Sequence, residues 1–124
     1  MPTPEEITRF LKEFKRRMEN RDGFIFHSFR GVNRDTISYL GIHVSQVKEI
    51  ISGLTYENYS NGPDISDDPK LGNLWVFGTS YNNQPLYIKI SDNFSFDKAK
   101  CISFHFPCDN MTFPYKELKK EEGI

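Results

Sequence analysis

The sequence predicts an α+β domain in which N-terminal helices pack on a small antiparallel sheet that ends in a C-terminal β-meander. Three observations predict it: a capped N-terminal helix with an apolar stripe, two short helical segments after it, and alternating apolar and polar residues beyond residue 73. Two separate cores in 124 residues would each bury too little surface to be stable. We therefore expect one domain over residues 1–124.

The first helix is predicted from about residue 4 to residue 20. Thr3 can cap it, Pro4 suits its first position, and Glu6 completes a Thr-x-x-Glu capping box. The apolar residues that follow recur at helical spacing and form one stripe. They are Ile7, Phe10, Leu11, Phe14 and Met18.

A short aromatic strand is predicted next, over Phe24–Phe29, because it is bounded by turn residues. Asn33 or Asp35 is expected to cap a short helix over Thr36–Leu40, which Gly41 ends.

Another short helix is expected from Ser45 to Gly53. The two short helices together are similar to a helix-turn-helix, but the second carries one basic residue, Lys48, which disfavours recognition of DNA bases.

The C-terminal half predicts a loop over Ser60–Gly72, because Gly, Pro and Asp dominate it, and then a three-stranded meander over about residues 73–107. Asn82-Asn83 is expected to form the first hairpin turn. The predicted strands are Leu74–Tyr81, Pro85–Ser91 and Lys100–Phe106. The charged tail over about residues 119–124 is expected to fray.

The net charge and the N-terminal residues indicate which partners and which cellular compartment to expect. The net charge of −1 disfavours a protein that binds nucleic acid through a general basic excess, so RNA binding would need a local basic patch. No apolar run approaches the length of a membrane span, and the N-terminus lacks the apolar core of a signal peptide. We expect a cytoplasmic protein that has no membrane association.

Chemistry concentrates on one face of the predicted meander. Alternation puts Leu86, Ile88 and Ile90 on the core face, with Ile102, Phe104 and Phe106 beside them. The opposite face then carries Tyr87, Lys89, Ser91, Cys101, Ser103 and His105. A phenol, an ammonium group and an imidazole this close together can move protons and neutralise a phosphate. A solvated sheet face without function explains the same pattern, and the periodicity alone favours that explanation.

A metal site is disfavoured, because the spacing of Cys101 and Cys108 is not that of a zinc knuckle. No Gly-rich phosphate loop or nucleophile elbow occurs either, and no cofactor is expected.

The order of several short blocks resembles the MqsR-like toxins of bacterial type II toxin–antitoxin systems, over about residues 34–116. The blocks are Leu54-Thr55, Tyr59-Ser60, Gly62-Pro63, Leu74–Gly78, Tyr87-Ile88-Lys89, Cys101–His105 and Pro114-Tyr115. The helix that begins at Pro4 is similar to that of an extended branch of the group.

The resemblance implies a compact fold similar to that of the RelE-like RNases, metal-independent cleavage of mRNA, and a cognate antitoxin, expected to be of the helix-turn-helix type. By position it implies catalytic roles for Tyr87, Lys89 and His105. The sequence departs from the family where His105 replaces a lysine, Val76 replaces a glutamine, and Asn61 lies near the position of another lysine.

The implied reaction is attack of a ribose 2′-hydroxyl on its own phosphate. His105 would be its base or acid, Lys89 would bind the phosphate, and Tyr87 would position groups or donate a proton. Lys116 and Arg30 are further expected RNA contacts. Two alternatives remain open: a binding module of the same fold without catalysis, and an unrelated α+β domain.

Overall fold

The computed structural model describes residues 1–116, and the predicted frayed tail at about residues 119–124 lies outside this part. Residues 1–116 contain three α-helices and five strands, which confirms the α+β class. The helices are α1 (Pro4–Met18), α2 (Gly31–Leu40) and α3 (Val44–Ser52). The strands are β1 (Phe24–Phe26), β2 (Tyr59–Ile65), β3 (Asn73–Tyr81), β4 (Gln84–Ser91) and β5 (Ala99–His105).

Helix α1 begins as predicted, with the capping box of Thr3 and Glu6 formed in both directions. All five residues of its predicted apolar stripe are buried against the sheet. Phe10 stacks on Trp75 with ring centroids 4.2 Å apart and planes 12° apart, so α1 is fixed over the centre of the core face. None of the helices in residues 1–116 has the length and apolar character to cross a bilayer.

The five strands form one sheet in the order β1-β5-β4-β3-β2. The predicted meander is β3-β4-β5, and its first turn lies at Asn82-Asn83, where both residues have positive φ as a tight hairpin requires. The sheet is mixed rather than wholly antiparallel, because β1 runs parallel to β5. The predicted first strand, Phe24–Phe29, is also shorter, ending at Phe26.

The predicted loop over Ser60–Gly72 is wrong in its first half, since Tyr59–Ile65 is strand β2, paired antiparallel with β3. Two irregularities in register, between Tyr59 and Asn61 and between Asn61 and Asp64, take up the turn-forming residues. The Gly62-Pro63 peptide bond is cis. Buried Tyr59 anchors the strand by packing edge-on to Phe77 of the core.

Strand β5 contains a bulge, and the bulge corrects the predicted faces. Lys89 pairs with Ser103 but Ile90 pairs with Cys101, so Ile102 is the extra residue. Cys101 therefore lies in the core, where burial raises the pKa of its thiol far above the ordinary value. The prediction of Cys101 on the polar face is wrong, because strict alternation fails at a bulge, whereas Ile102 is buried as expected.

Helix α2 begins at Gly31, earlier than predicted, and Asn33 is not its cap. The Asn33 side chain is fully buried and replaces a strand partner along the free edge of β5. Its Nδ2 donates to the carbonyl oxygens of His27 and Ile102, both at 2.9 Å. Its Oδ1 accepts the backbone N–H of Phe104, also at 2.9 Å. The edge of β5 beyond the short strand β1 is thus satisfied by one amide side chain.

His27 makes the stability of the fold depend on pH. Burial lowers the pKa of His27 below the ordinary histidine value of 6.5, and the charges of Arg30 and Lys100 lower it further. Between these two pKa values the unfolded chain binds a proton that the folded chain does not. The free energy of unfolding should therefore fall as pH drops below about 6.5, and His27→Gln should flatten this part of the curve. Urea unfolding at several pH values measures the free energy of unfolding of the wild type and of His27→Gln. If both proteins show the same dependence on pH, His27 is not the group responsible.

Candidate active site

The polar face of the meander is organised in two rows that run across the strands. In the first row, Asn61 pairs with Val76, Val76 with Lys89, and Lys89 with Ser103. In the second row, Gly78 pairs with Tyr87 and Tyr87 with His105. The rows are about 7 Å apart, the rise of two strand residues. Lys89 and His105 are therefore diagonal neighbours, close enough for their side chains to contact one small group between them.

All residues of these rows except Gly78 line an open cleft of about 490 Å³. Four of the five predicted functional residues line it: Arg30, Tyr87, Lys89 and His105. The predicted position Ser91 does not, because its hydroxyl is buried and donates to the carbonyl oxygen of Leu71.

His105 is held in one orientation. Its ring stacks on Tyr87 with centroids 5.0 Å apart and planes 16° apart. Its Nδ1 lies 2.9 Å from the carbonyl oxygen of Phe106. Since a carbonyl oxygen only accepts, Nδ1 must carry a proton, and in the neutral ring Nε2 is the basic nitrogen. Nε2 has no partner among residues 1–116 and is free to take a proton from a ligand.

Two cations flank this imidazole. Lys89 lies beside Tyr87, with its Nζ 5.7 Å from the ring centroid. Arg30, which directly precedes α2, extends its side chain into the cleft. Its Nη1 donates to Ser103 Oγ at 2.8 Å and to the carbonyl oxygen of Ile102 at 3.0 Å. The bulge at Ile102 is what presents this carbonyl. The remaining guanidinium donors of Arg30 have no partner in the described part of the chain, and they can bind an oxyanion.

The segment after β5 forms one wall of the cleft, which the sequence did not predict. Residues 107–112 line it, including exposed Cys108. The segment can lie close to β3 because Gly78 has no side chain. A Cβ there would come within 2.7 Å of the Phe113 ring and 2.9 Å of the Met111 methyl group. Gly78 was the available signal, but a glycine in a strand does not identify what approaches it.

Lys116 is not in this cleft, so the structure does not group it with the other four predicted residues. It lines a second groove of about 600 Å³, which is also lined by Pro85, Leu86, Met111 and Phe113. Asn61 and Val76, where the resemblance departs from the toxin family, do line the cleft. Ser103 is a further cleft residue, notable because it orients Arg30.

The described part of the chain, residues 1–116, contains no cluster of three or more His, Cys, Asp or Glu side chains that could hold a metal ion.

The fold and the site define an α+β protein with a cationic, histidine-containing cleft on its sheet. Protein-family models, curated proteins and solved structures give no match to the chain.

Proposed function

We propose that the protein is a toxin-class endoribonuclease that cleaves mRNA at the cleft on the polar face of the sheet. One observation carries the proposal: the His105 imidazole, with a free Nε2, lines the same open cleft as two cations, Lys89 and Arg30. The resemblance to MqsR-like toxins supports Tyr87, Lys89 and the position of His105, and it implies a cognate antitoxin as partner; the compartment that we propose is the cytoplasm.

The chemistry follows from these groups. His105 Nε2 takes the proton of a ribose 2′-hydroxyl, and the 2′-oxygen forms a bond to the adjacent phosphorus. The bond from phosphorus to the 5′-oxygen breaks, and a solvent water in the open cleft donates a proton to that oxygen, after which His105 returns its proton to solvent. Lys89 and Arg30 neutralise the charge that grows on the phosphoryl oxygens. Tyr87 keeps the imidazole in place through its stacked ring.

A second candidate function, a binding module without catalysis, has one observation in its favour. The cleft continues into an acidic groove that shares Lys89 and Tyr87 and is walled by Asp64, Asp67 and Asp68. Carboxylates repel the RNA backbone and suit a basic segment of a protein partner.

Induced expression separates the two functions. The nuclease proposal predicts that the wild-type chain halts bacterial growth and that Lys89→Ala and His105→Ala relieve the arrest while remaining folded. Lys98→Ala, which changes a lysine outside the cleft, is the control and should still arrest growth. Arrest that persists equally in both cleft variants would overturn the site. A folded wild-type protein that leaves growth unaffected but binds a protein partner would favour the binding module.

A further inference from the structure

The loop between β1 and α2 exposes an aromatic ring to solvent at Phe29, the residue directly before Arg30 of the cleft. Phe29 is 75% exposed, and its ring lies 4.8 Å from the His27 ring, measured between centroids. One exposed phenylalanine is not unusual by itself. Phe29 differs in its rigid support and in the charge around it.

The loop that carries Phe29 is fixed at both ends. The backbone N–H of His27 donates to the carbonyl oxygen of Cys101 at 3.1 Å, which extends the pairing of β1 with β5. The carbonyl oxygen of His27 accepts from the backbone N–H of Arg30 at 3.2 Å and from buried Asn33 at 2.9 Å. The exposed ring is therefore presented on a prepared support, which limits the entropy lost when a ligand binds.

The surroundings of the loop are cationic. Arg30 and Lys100 are close enough to His27 to disfavour its protonation, and Arg34 is exposed on the first turn of α2. Lys100 precedes core-facing Cys101 in β5, so its side chain projects to the polar face of the sheet. Arg30 connects this surface to the cleft through Ser103, which pairs with Lys89.

We propose that Phe29 is a stacking platform for a nucleobase of single-stranded RNA, whose backbone runs from the cleft across Arg30 to the loop. The proposal rests on the proposed function, because it takes RNA as the ligand of the cleft. An exposed aromatic ring beside cations is the arrangement that binds single strands, since every base has a face that can stack. Paired bases are not available for such stacking, so the substrate class is single-stranded RNA several nucleotides long.

Binding of a probe that cannot be cleaved tests the proposal. A 2′-O-methylated oligouridine of about eight nucleotides, with one 2-aminopurine, lacks the attacking hydroxyl and reports stacking by loss of fluorescence. We expect Phe29→Ala to weaken its binding by about 10-fold or more and to reduce the quenching. Phe29→Trp should retain both, and Lys100→Ala should make the binding less dependent on salt.

Phe96→Ala is the matched control, because Phe96 is 93% exposed and lies in a turn outside the cleft. It should bind the probe like the wild type.

The remaining outcomes of this experiment distinguish the proposed role of Phe29 from the proposed nuclease function. If Lys89→Ala weakens binding but Phe29→Ala does not, the platform is wrong and the cleft still binds RNA. If Phe29→Ala instead loses a co-purifying protein, the surface is a protein-docking site and the proposal is overturned. If the wild type quenches the probe through Phe29 but cleaves no RNA, the platform stands and the nuclease function fails. If the wild type binds no oligonucleotide, both claims fail.

Discussion

His105→Ala should lower the rate of RNA cleavage by about 100- to 10,000-fold, the range for loss of a general acid or base. Single-turnover assays on a single-stranded RNA measure this rate. Lys89→Ala should also cause a large loss, because the growing phosphoryl charge loses a cation. Lys89→Arg, which keeps a positive charge, should lose less.

Substitutions of Tyr87 show whether its ring or its hydroxyl contributes to cleavage. Its ring lies parallel to that of His105 at 5.0 Å, and this contact orients the imidazole. Tyr87→Phe keeps the ring, so we expect a loss smaller than 10-fold, on the order of a hydrogen bond or less. Tyr87→Ala should lose more. If Tyr87→Phe is as inactive as His105→Ala, the hydroxyl is the proton donor to the leaving oxygen.

Asn33→Ala should lower the free energy of unfolding by about 1–3 kcal/mol, the second large effect. The change leaves the N–H of Phe104 without a partner at a buried edge, while the carbonyl oxygens of His27 and Ile102 each keep a hydrogen bond from Arg30. Each unsatisfied buried group costs about 1–3 kcal/mol. Urea unfolding measures the loss.

Asn20→Ala is the matched control for Asn33→Ala. The Asn20 side chain makes a hydrogen bond of similar length, 2.8 Å to Asp97, but in solvent. Its loss should change stability by no more than about 0.5 kcal/mol. Equal effects of the two variants would contradict the role given to Asn33. Since Asn33 also fixes the start of α2, its loss should move Arg30 away from the cleft.

Local signals in the sequence predict much of this fold. Thr3, Pro4 and Glu6 place the start of α1, because capping depends on residues a few positions apart. Asn82 and Asn83 place the hairpin, because asparagine tolerates the positive φ that the turn needs. The period of two in β4 predicts that Tyr87 and Lys89 share a face.

The missed features depend on contacts between residues far apart in the chain. Strand β2 contains Gly62, Pro63 and Asp64, which favour a loop, and pairing with β3 overrides that preference. The bulge at Ile102 arises from the register between β4 and β5, which periodicity within one strand does not contain. Asparagine is a common helix-capping residue, so the sequence suggests that role for Asn33. Its actual role, hydrogen bonding to the edge of β5, depends on a strand that lies far away in the chain.

The candidate site shows the same division. Alternation within strands predicts Tyr87, Lys89 and His105, and all three line the cleft. The place of Arg30 depends on Ser103, and the separation of Lys116 depends on how residues 107–113 cross β3 at Gly78. Neither arrangement is visible from spacing along the chain.

The most direct test of the central claim is the end group left on RNA by the purified protein in excess EDTA. We expect cleavage that yields a 2′,3′-cyclic phosphate and a 5′-hydroxyl, and no cleavage by a His105→Ala preparation made in parallel. Cleavage that requires a divalent metal, or that persists at the wild-type rate in His105→Ala, would contradict it. So would a folded wild-type protein that leaves single-stranded RNA intact.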